Sequence, residues 1–412
     1  MDNRVDRLIK IIRNSQPFFG PSKLNLNWEQ TRFIAIGKGA GSLAKQMEPN
    51  LKTKGVVITK SGHGQASDSW TTCYGDHPYI SQNSFKCALE LINFLKTVKE
   101  DEHLLFGITG GASALVELPV SYFSQEEVAL INEELVRSGA DIGDINLLRK
   151  EVSQIKNGGL LTYCKSRNVT MLVISDVPYE GDMEVSLVGS SPVIYKEGST
   201  AELEQVIKSF IDTTDLKEKL LRYIHSNSRK ENNIKKQRAY EETHFDNYIL
   251  SNHQKIIKES IIEFPDAKVE KRPFSTTYKD GIERTIIEMK RGGAGTYISC
   301  GEFNVEVQGS GLGGRNTHFV LCMAIELFDK NIMGEGDHFI CSLGTDGTDG
   351  ATKAAGAWIT RDLYLKAINM NLDPIKYIQS FNSYVFFNKL GSLVVTGPTF
   401  NNLMDLRMIS IS

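Results

Sequence analysis

The sequence predicts an α/β protein of two domains, a doubly wound parallel sheet within residues 1–240 and a smaller mixed-sheet α/β domain within 265–412. Three observations carry that expectation. At 412 residues with 41% hydrophobic content the chain is long enough for two cores, since single cores stop growing well below that length. Short apolar runs ending in glycine or small polar residues, with helical patterns between them, recur through the first half. The carboxyl third changes character, with strand-like segments around two glycine-punctuated loops.

The elements follow in order. Val5, Leu8, Ile9 and Ile12 lie at helical spacing and predict an amphipathic opening helix. Arg32 to Ile36 is a strand that runs into Gly37-Lys38-Gly39-Ala40-Gly41 and then a helix. The same grammar recurs at Gly55 to Lys60 before Ser61-Gly62-His63-Gly64, at His103 to Ile108 before Thr109-Gly110-Gly111-Ala112-Ser113-Ala114-Leu115, and at Val169 to Ile174 before Ser175-Asp176-Val177. Four such strands argue for a parallel sheet whose ligand crevice lies at the strand carboxyl ends, so the functional loops share one edge. Ala201 to about Tyr240 is helical in period, and the polar stretch Ser226 to Asn233 reads as a surface loop or domain junction. Asn247 to Asn252 reads as a strand of either domain. Farther on, Thr296 to Ser299 and Phe303 to Val307 flank Cys300-Gly301-Glu302 as strand, turn and strand. Thr317 to Phe328 is helical, and His338 to Leu343 and Ser392 to Thr396 are further strands.

Bulk properties exclude several function classes. A net charge of −3 gives no global basic field for nucleic acid or an anionic membrane, so an anionic ligand must be met by a local site. No segment approaches the roughly 18 apolar residues of a membrane span. The six cysteines have no metal spacing and read as reduced thiols of a cytoplasmic protein.

The chemistry-bearing residues sit in the loops. Gly309-Ser310-Gly311-Leu312-Gly313-Gly314-Arg315-Asn316 lets main-chain N–H groups approach an anion, and Arg315 adds a planar fork suited to phosphate or carboxylate. Gly344-Thr345-Asp346-Gly347-Thr348-Asp349-Gly350 supplies two carboxylates; we favour Asp346 for a cation and leave Asp349 open. Gly37, Lys38 and Gly39 form a GxGxG turn after a strand. The second strand, however, ends at Thr59-Lys60 without the acid that a dinucleotide site needs, so phosphate or carboxylate binding is favoured over nicotinamide. Gly110, Gly111 and Ser113 offer N–H and hydroxyl donors to phosphate. Lys156 is a candidate for charge neutralisation, Asp176 for orienting a hydroxyl or holding Mg²⁺, and Glu302 for a metal-linked carboxylate.

The spelling of these loops goes further. GSGLGGRN followed by SLGTDGTDGATKAAGA, together with the GK turn at Gly37-Lys38, TGGASAL at 109–115, SDV at 175–177 and GPT with NNLMDL at 397–406, resembles the glycerate 2-kinase family, whose second domain is called MOFRL. The resemblance runs from Gly37-Lys38 to Asp405-Leu406. Departures fall at Lys156 to Gly159, Pro178 to Asp182 and Gly189 to Val193. Membership implies a Rossmann-like domain and a MOFRL domain with a cleft between them, and transfer of the γ-phosphoryl of ATP, with Mg²⁺, to the 2-hydroxyl of D-glycerate. It implies Lys38 in catalysis, and the chemistry of Arg315 and Asp176 places them beside it as expected catalytic residues. Gly37, Gly39, Gly110, Gly111, Ser113, Lys156, Gly311, Gly313 and Gly314 would bind nucleotide or phosphate, with Asp346 and Glu302 for metal. The partners expected are a small hydroxy acid and a homodimer mate, with no nucleic acid or membrane. The alternatives are a kinase for another small hydroxy acid or sugar-like acceptor and, behind it, a hydroxypyruvate reductase.

Overall fold

A computed structural model describes residues 2–18, 20, 24–62, 67–138, 140–177, 185–304 and 309–412. The chain forms two compact units. Phe18–Val177 with Glu184–Leu250 makes one; Met1–Pro17 with Ser251–Ser412 makes the other.

The first unit is built on a six-stranded sheet in the order β3-β2-β1-β4-β5-β6: β1 Thr31–Ile36, β2 Val56–Lys60, β3 Thr71–Gly75, β4 His103–Ile108, β5 Asn168–Ile174 and β6 His244–Ser251. The pairings from β3 through β5 are parallel. Because β1, β4 and β5 are covered on both faces, they read as nearly continuous apolar runs, and every residue but Arg32, His103 and Asn168 is buried. Phe33, Ala35, Val57, Leu105 and Leu172 pack under helix Ala40–Met47. A second apolar layer joins helices Gln125–Arg137, Ile142–Val152, Thr200–Phe210 and Thr214–Ile224 around Leu135, Leu148, Leu203 and Leu220. The polar stretch at 226–233 is not a loop. Ser226 caps helix Asn227–Glu241 by accepting from the Arg229 amide, and the helix buries Arg229 and Lys236.

The second unit carries a seven-stranded mixed sheet: β7 Lys268–Val269, β8 Phe274–Thr277, β9 Gly295–Asn304, β10 Phe339–Gly344, β11 Gly356–Thr360, β12 Leu393–Val394 and β13 Asp405–Ile411. The order is β12-β11-β10-β13-β9-β7, with β8 also on β9. Pairings among β9 to β13 are antiparallel, while β7 and β8 run parallel to β9. The expected turn at Cys300-Gly301-Glu302 is continuous strand. Gly301, at φ 134°, marks a close approach instead, because a Cβ there would lie 2.2 Å from the backbone nitrogen and oxygen of Phe274 on β8. Val305 to Val307 lie outside the described residues. Helix Arg315–Ala324 fills the core with Phe319, Val320, Leu321 and Met323 against Ile340, Ile359, Phe386 and Ile409.

Helix Asn3–Ser15, expected in the amino-terminal domain, belongs to this second unit. Arg7 and Lys10 pair with Glu263 of helix His253–Glu263, Asn14 with Glu259, and Ser251 donates to the Ser15 carbonyl at 2.6 Å. Among the described residues no helix is long and apolar enough to cross a membrane.

Candidate functional site

In the first unit the strand order reverses between β1 and β4, the position at whose strand carboxyl ends doubly wound sheets bind ligands. The turns leaving these two strands are bonded to one another. The Lys38 amide donates to the Gly110 carbonyl at 2.9 Å, the Gly39 amide to Thr109 Oγ1 at 2.9 Å, and the Gly37 amide to Ile58 at 3.0 Å. Gly37 is required by close approach: its φ is 133° and a Cβ would fall 2.0 Å from Thr109 Oγ1. The N–H groups of Gly37 and Gly39, expected to cradle phosphate, are thus spent on holding the turns together.

Gly110 and Gly111 are placed differently. Their amides make no hydrogen bond among the described residues, which leaves both as donors. A Cβ on Gly110 would lie 2.0 Å from Asp176 Oδ2, and one on Gly111 would lie 3.2 Å from Lys38 Cε and 3.1 Å from the His77 ring. Lys38, Gly110, Gly111, Asp176 and His77 therefore meet at one edge, a neighbourhood that includes a histidine to which the sequence assigned no role. Of the neighbouring motif at 59–64, His63 and Gly64 lie outside the described residues, as do Pro178 to Asp182.

Ser113 is expected as a phosphate donor, and its proton is directed elsewhere. Asn146 donates through Nδ2 to the Leu187 carbonyl (3.1 Å), so its Oδ1 accepts from Ser190 Oγ (2.6 Å). Having given its proton there, Ser190 accepts from Ser113 across 2.7 Å. Ser113 then presents lone pairs outward, which suits a ligand hydroxyl and repels an anion. Lys156 is corrected as well. Its ammonium is 2% exposed, ion-paired with Glu117 and bonded to the Val116 carbonyl, so its charge is neutralised inside the domain. Burial pulls its pKa down, and Glu117 only partly opposes this.

In the second unit Arg315 opens helix Arg315–Ala324 amid carboxylates. Nε and Nη2 reach Asp405 at 2.5 and 3.2 Å, and Nη2 also meets Glu302. Burial would lower the Arg315 pKa, but Asp405 and Glu302 outweigh it and hold the guanidinium firmly charged. Nη1 makes no hydrogen bond among the described residues, and the side chain is about one-third exposed, so that edge can face a ligand. Glu302 is committed to Arg315 and Asn402, which removes it as a first choice for metal. Asp349 is a helix cap: its carboxylate accepts from the amides of Asn316 and Thr317 and from Thr317 Oγ1, each at 2.8 Å. Asp346 remains available. Its Oδ1 accepts from Thr348, while Oδ2 has no partner among the described residues.

The glycines before Arg315 serve packing. The Gly311 amide donates to the Ser380 carbonyl (3.1 Å), the Leu312 amide to Asn382 Oδ1 (3.0 Å) and the Gly314 amide to Thr317 Oγ1 (3.2 Å). Cβ atoms at Gly311, Gly313 and Gly314 would lie 2.3 to 2.5 Å from Ser380, Ser383 and Asp349. Gly311 and Gly314, expected as phosphate donors, are therefore strapped to residues 380–384 and to the helix cap. No cluster of three His, Cys, Asp or Glu side chains able to hold a metal is found among the described residues.

Known proteins extend the picture. Residues 5–225 match a domain of unknown function, DUF4147, and residues 295–405 match the MOFRL family. The D-glycerate 2-kinase of Thermotoga maritima is 30% identical, with 92% of this chain and 90% of that protein covered. The glycerate 2-kinase of Sulfurisphaera tokodaii is 30% identical over 92% and 89%. The crystal structure of the Thermotoga maritima glycerate kinase superposes with a TM-score of 0.77 at 28% identity, covering 99% of this chain and 98% of that one. Sequence, fold and the loops at the sheet edge agree, and the chain belongs to the glycerate 2-kinase family with a MOFRL carboxyl-terminal domain.

Proposed function

We propose that this protein is a cytoplasmic, ATP-dependent glycerate 2-kinase that transfers the γ-phosphoryl group to the 2-hydroxyl of D-glycerate. The observation that carries the reading is the meeting of Lys38, the two open amides of Gly110 and Gly111, and Asp176 at the β1/β4 switch point, in a chain whose relatives are named glycerate 2-kinases. Phosphoryl transfer asks for position and charge rather than covalent chemistry. Lys38 and the two amides supply positive charge and donors to an oxyanion, and Asp176 orients a hydroxyl. Arg315, held by Asp405 and Glu302, keeps an Nη1 edge suited to a phosphate or a carboxylate.

Asp346 fits magnesium as a single protein carboxylate, the remaining ligands coming from nucleotide phosphates and water. When bound, the ion would neutralise phosphate charge. A second reading, a kinase for a different small hydroxy acid, draws on the departures at Gly189 to Val193, since Ser190 of that segment sets the proton of Ser113.

Incubation with Mg-ATP and D-glycerate, followed by ³¹P NMR, tests the proposal. A phosphate on the 2-hydroxyl is expected. Phosphate on the 3-hydroxyl, or transfer only to another acid, would replace it with the second reading.

A further inference from the structure

Behind the glycine loop of the first unit lies a layer of buried charge. Its two buried carboxylates are already engaged, Glu117 with Lys156 and Glu151 with Arg229. Lys236 donates to the carbonyls of Lys150 and Ser153 at 3.2 and 2.7 Å. Arg149 is left over. Arg149 is 8% exposed, only its Nε is enclosed without an acceptor while its Nη nitrogens are not enclosed, and among the described residues it makes neither a hydrogen bond nor an ion pair.

A desolvated guanidinium with no partner is costly, and proteins rarely keep one without something to bind. The second unit shows how such a group is accommodated when no ligand is needed. Arg407 also has enclosed nitrogens without acceptors, but its guanidinium carbon lies 4.1 Å from the Phe303 ring centre and 5.3 Å from that of Phe274. No aromatic ring stacks on Arg149 among the described residues. Burial draws its pKa down to about 10 against the attraction of Glu117.

Its place in the fold points to the site. On helix Ile142–Val152, Arg149 follows Asn146 by three residues and shares its face. Asn146 is joined through Ser190 to Ser113, three and two residues beyond Gly110 and Gly111. Glu117, which Arg149 feels electrostatically, continues the same segment.

We propose that Arg149 is an oxyanion-binding residue of this site, gripping a carboxylate or phosphate through its planar fork. The inference rests on the kinase reading for its ligands: the carboxylate of the hydroxy acid and the phosphates of the nucleotide share the required chemistry.

The test compares wild type with Arg149→Met, close in volume and uncharged, by thermal melting and by calorimetric titration with D-glycerate and, separately, with the non-hydrolysable analogue AMP-PNP. If Arg149 awaits an anion, the ligand-free variant melts at or above the wild-type temperature, because an uncompensated buried charge has been removed. One ligand then binds about 30-fold or more weakly while the other is unaffected. Loss of glycerate binding assigns the carboxylate, and loss of AMP-PNP binding assigns the phosphates. A variant that fails to fold or melts several degrees lower overturns the proposal, since Arg149 would then be structural. Wild-type affinity for both ligands, or a wild type that binds neither, overturns it as well. Absence of phosphoryl transfer in a wild type that still binds D-glycerate counts against the kinase reading alone.

Discussion

The glycine loop after β4 and the glycine loop before helix Arg315–Ala324 look alike in sequence and are built differently. At Gly110 and Gly111 the amides stay open beside Lys38 and Asp176. At Gly311 and Gly314 they are closed off by Ser380 and Thr317, and the missing side chains make room for neighbouring backbone. A missing Cβ permits close approach, and whatever approaches, ligand or protein, decides the role. The cations differ in the same sense. Lys38 has no ion pair among the described residues, whereas Arg315 is clamped by two carboxylates.

Substituting the two cations should separate the loops most widely. Lys38→Ala should lower kcat by about 1,000-fold or more while the melting temperature stays within about a degree, because removing preorganised charge from a phosphoryl-transfer site costs rate rather than packing. Arg315→Ala should lower kcat comparably and also destabilise the fold, since Asp405, 1% exposed, would lose its cation. Equal melting curves for the two variants would erase the distinction, and near-normal turnover in either would remove that residue from the mechanism.

The glycines sharpen it. Gly110→Ala should cut kcat/KM by about 100-fold with little change in stability, because the new methyl competes with Asp176 for space. Gly311→Ala should destabilise by about 1–3 kcal/mol in urea unfolding and leave turnover per folded molecule intact, because its methyl meets the Ser380 carbonyl. The reverse pattern would mean that the carboxyl-terminal loop is the one facing phosphate.

A smaller effect is expected with acid. His318 is 7% exposed, stacks on Phe381 at 4.8 Å beside the strap that holds Gly311, and burial lowers its pKa from about 6.5 to about 4. Between those values the unfolded chain binds a proton that the folded chain refuses. Stability therefore falls as pH drops from 6.5 to 4, by about 3 kcal/mol in all. Urea midpoints across that window should decline in wild type and decline less in His318→Phe; parallel curves would clear His318 of the effect.

Much of this was legible in advance. β1, β2, β4 and β5 fall within a residue of where their apolar runs place them, and their glycine or small polar endings mark the ligand edge, because burial on both faces and a tight exit turn leave local signatures. The rest depends on distant partners. Lys156 reads as an exposed phosphate ligand until Glu117, 39 residues away, is seen against it. Asp349 resembles Asp346 in spacing, and only the fold turns it into a cap 33 residues from its amide. The proton direction at Ser113 depends on Ser190 and Asn146, and the lack of an acceptor for Arg149 Nε among the described residues on what does not surround it. The stretch at 226–233 lies in a segment that reads as helical, but its polarity and lack of an apolar stripe make it look like a loop.

The docking of helix Asn3–Ser15 on helix His253–Glu263 also bears on how the chain is made. Val5, Leu8, Ile11 and Ile12 are buried, and helix His253–Glu263, on which their helix docks, is translated some 240 residues later. At ribosomal speeds of roughly 5 to 20 residues per second, that is a delay on the order of 10 to 50 s. Throughout that time the apolar face of helix Asn3–Ser15 is without the helix it docks on. That face is a ready site for chaperone capture until residues 253–263 emerge.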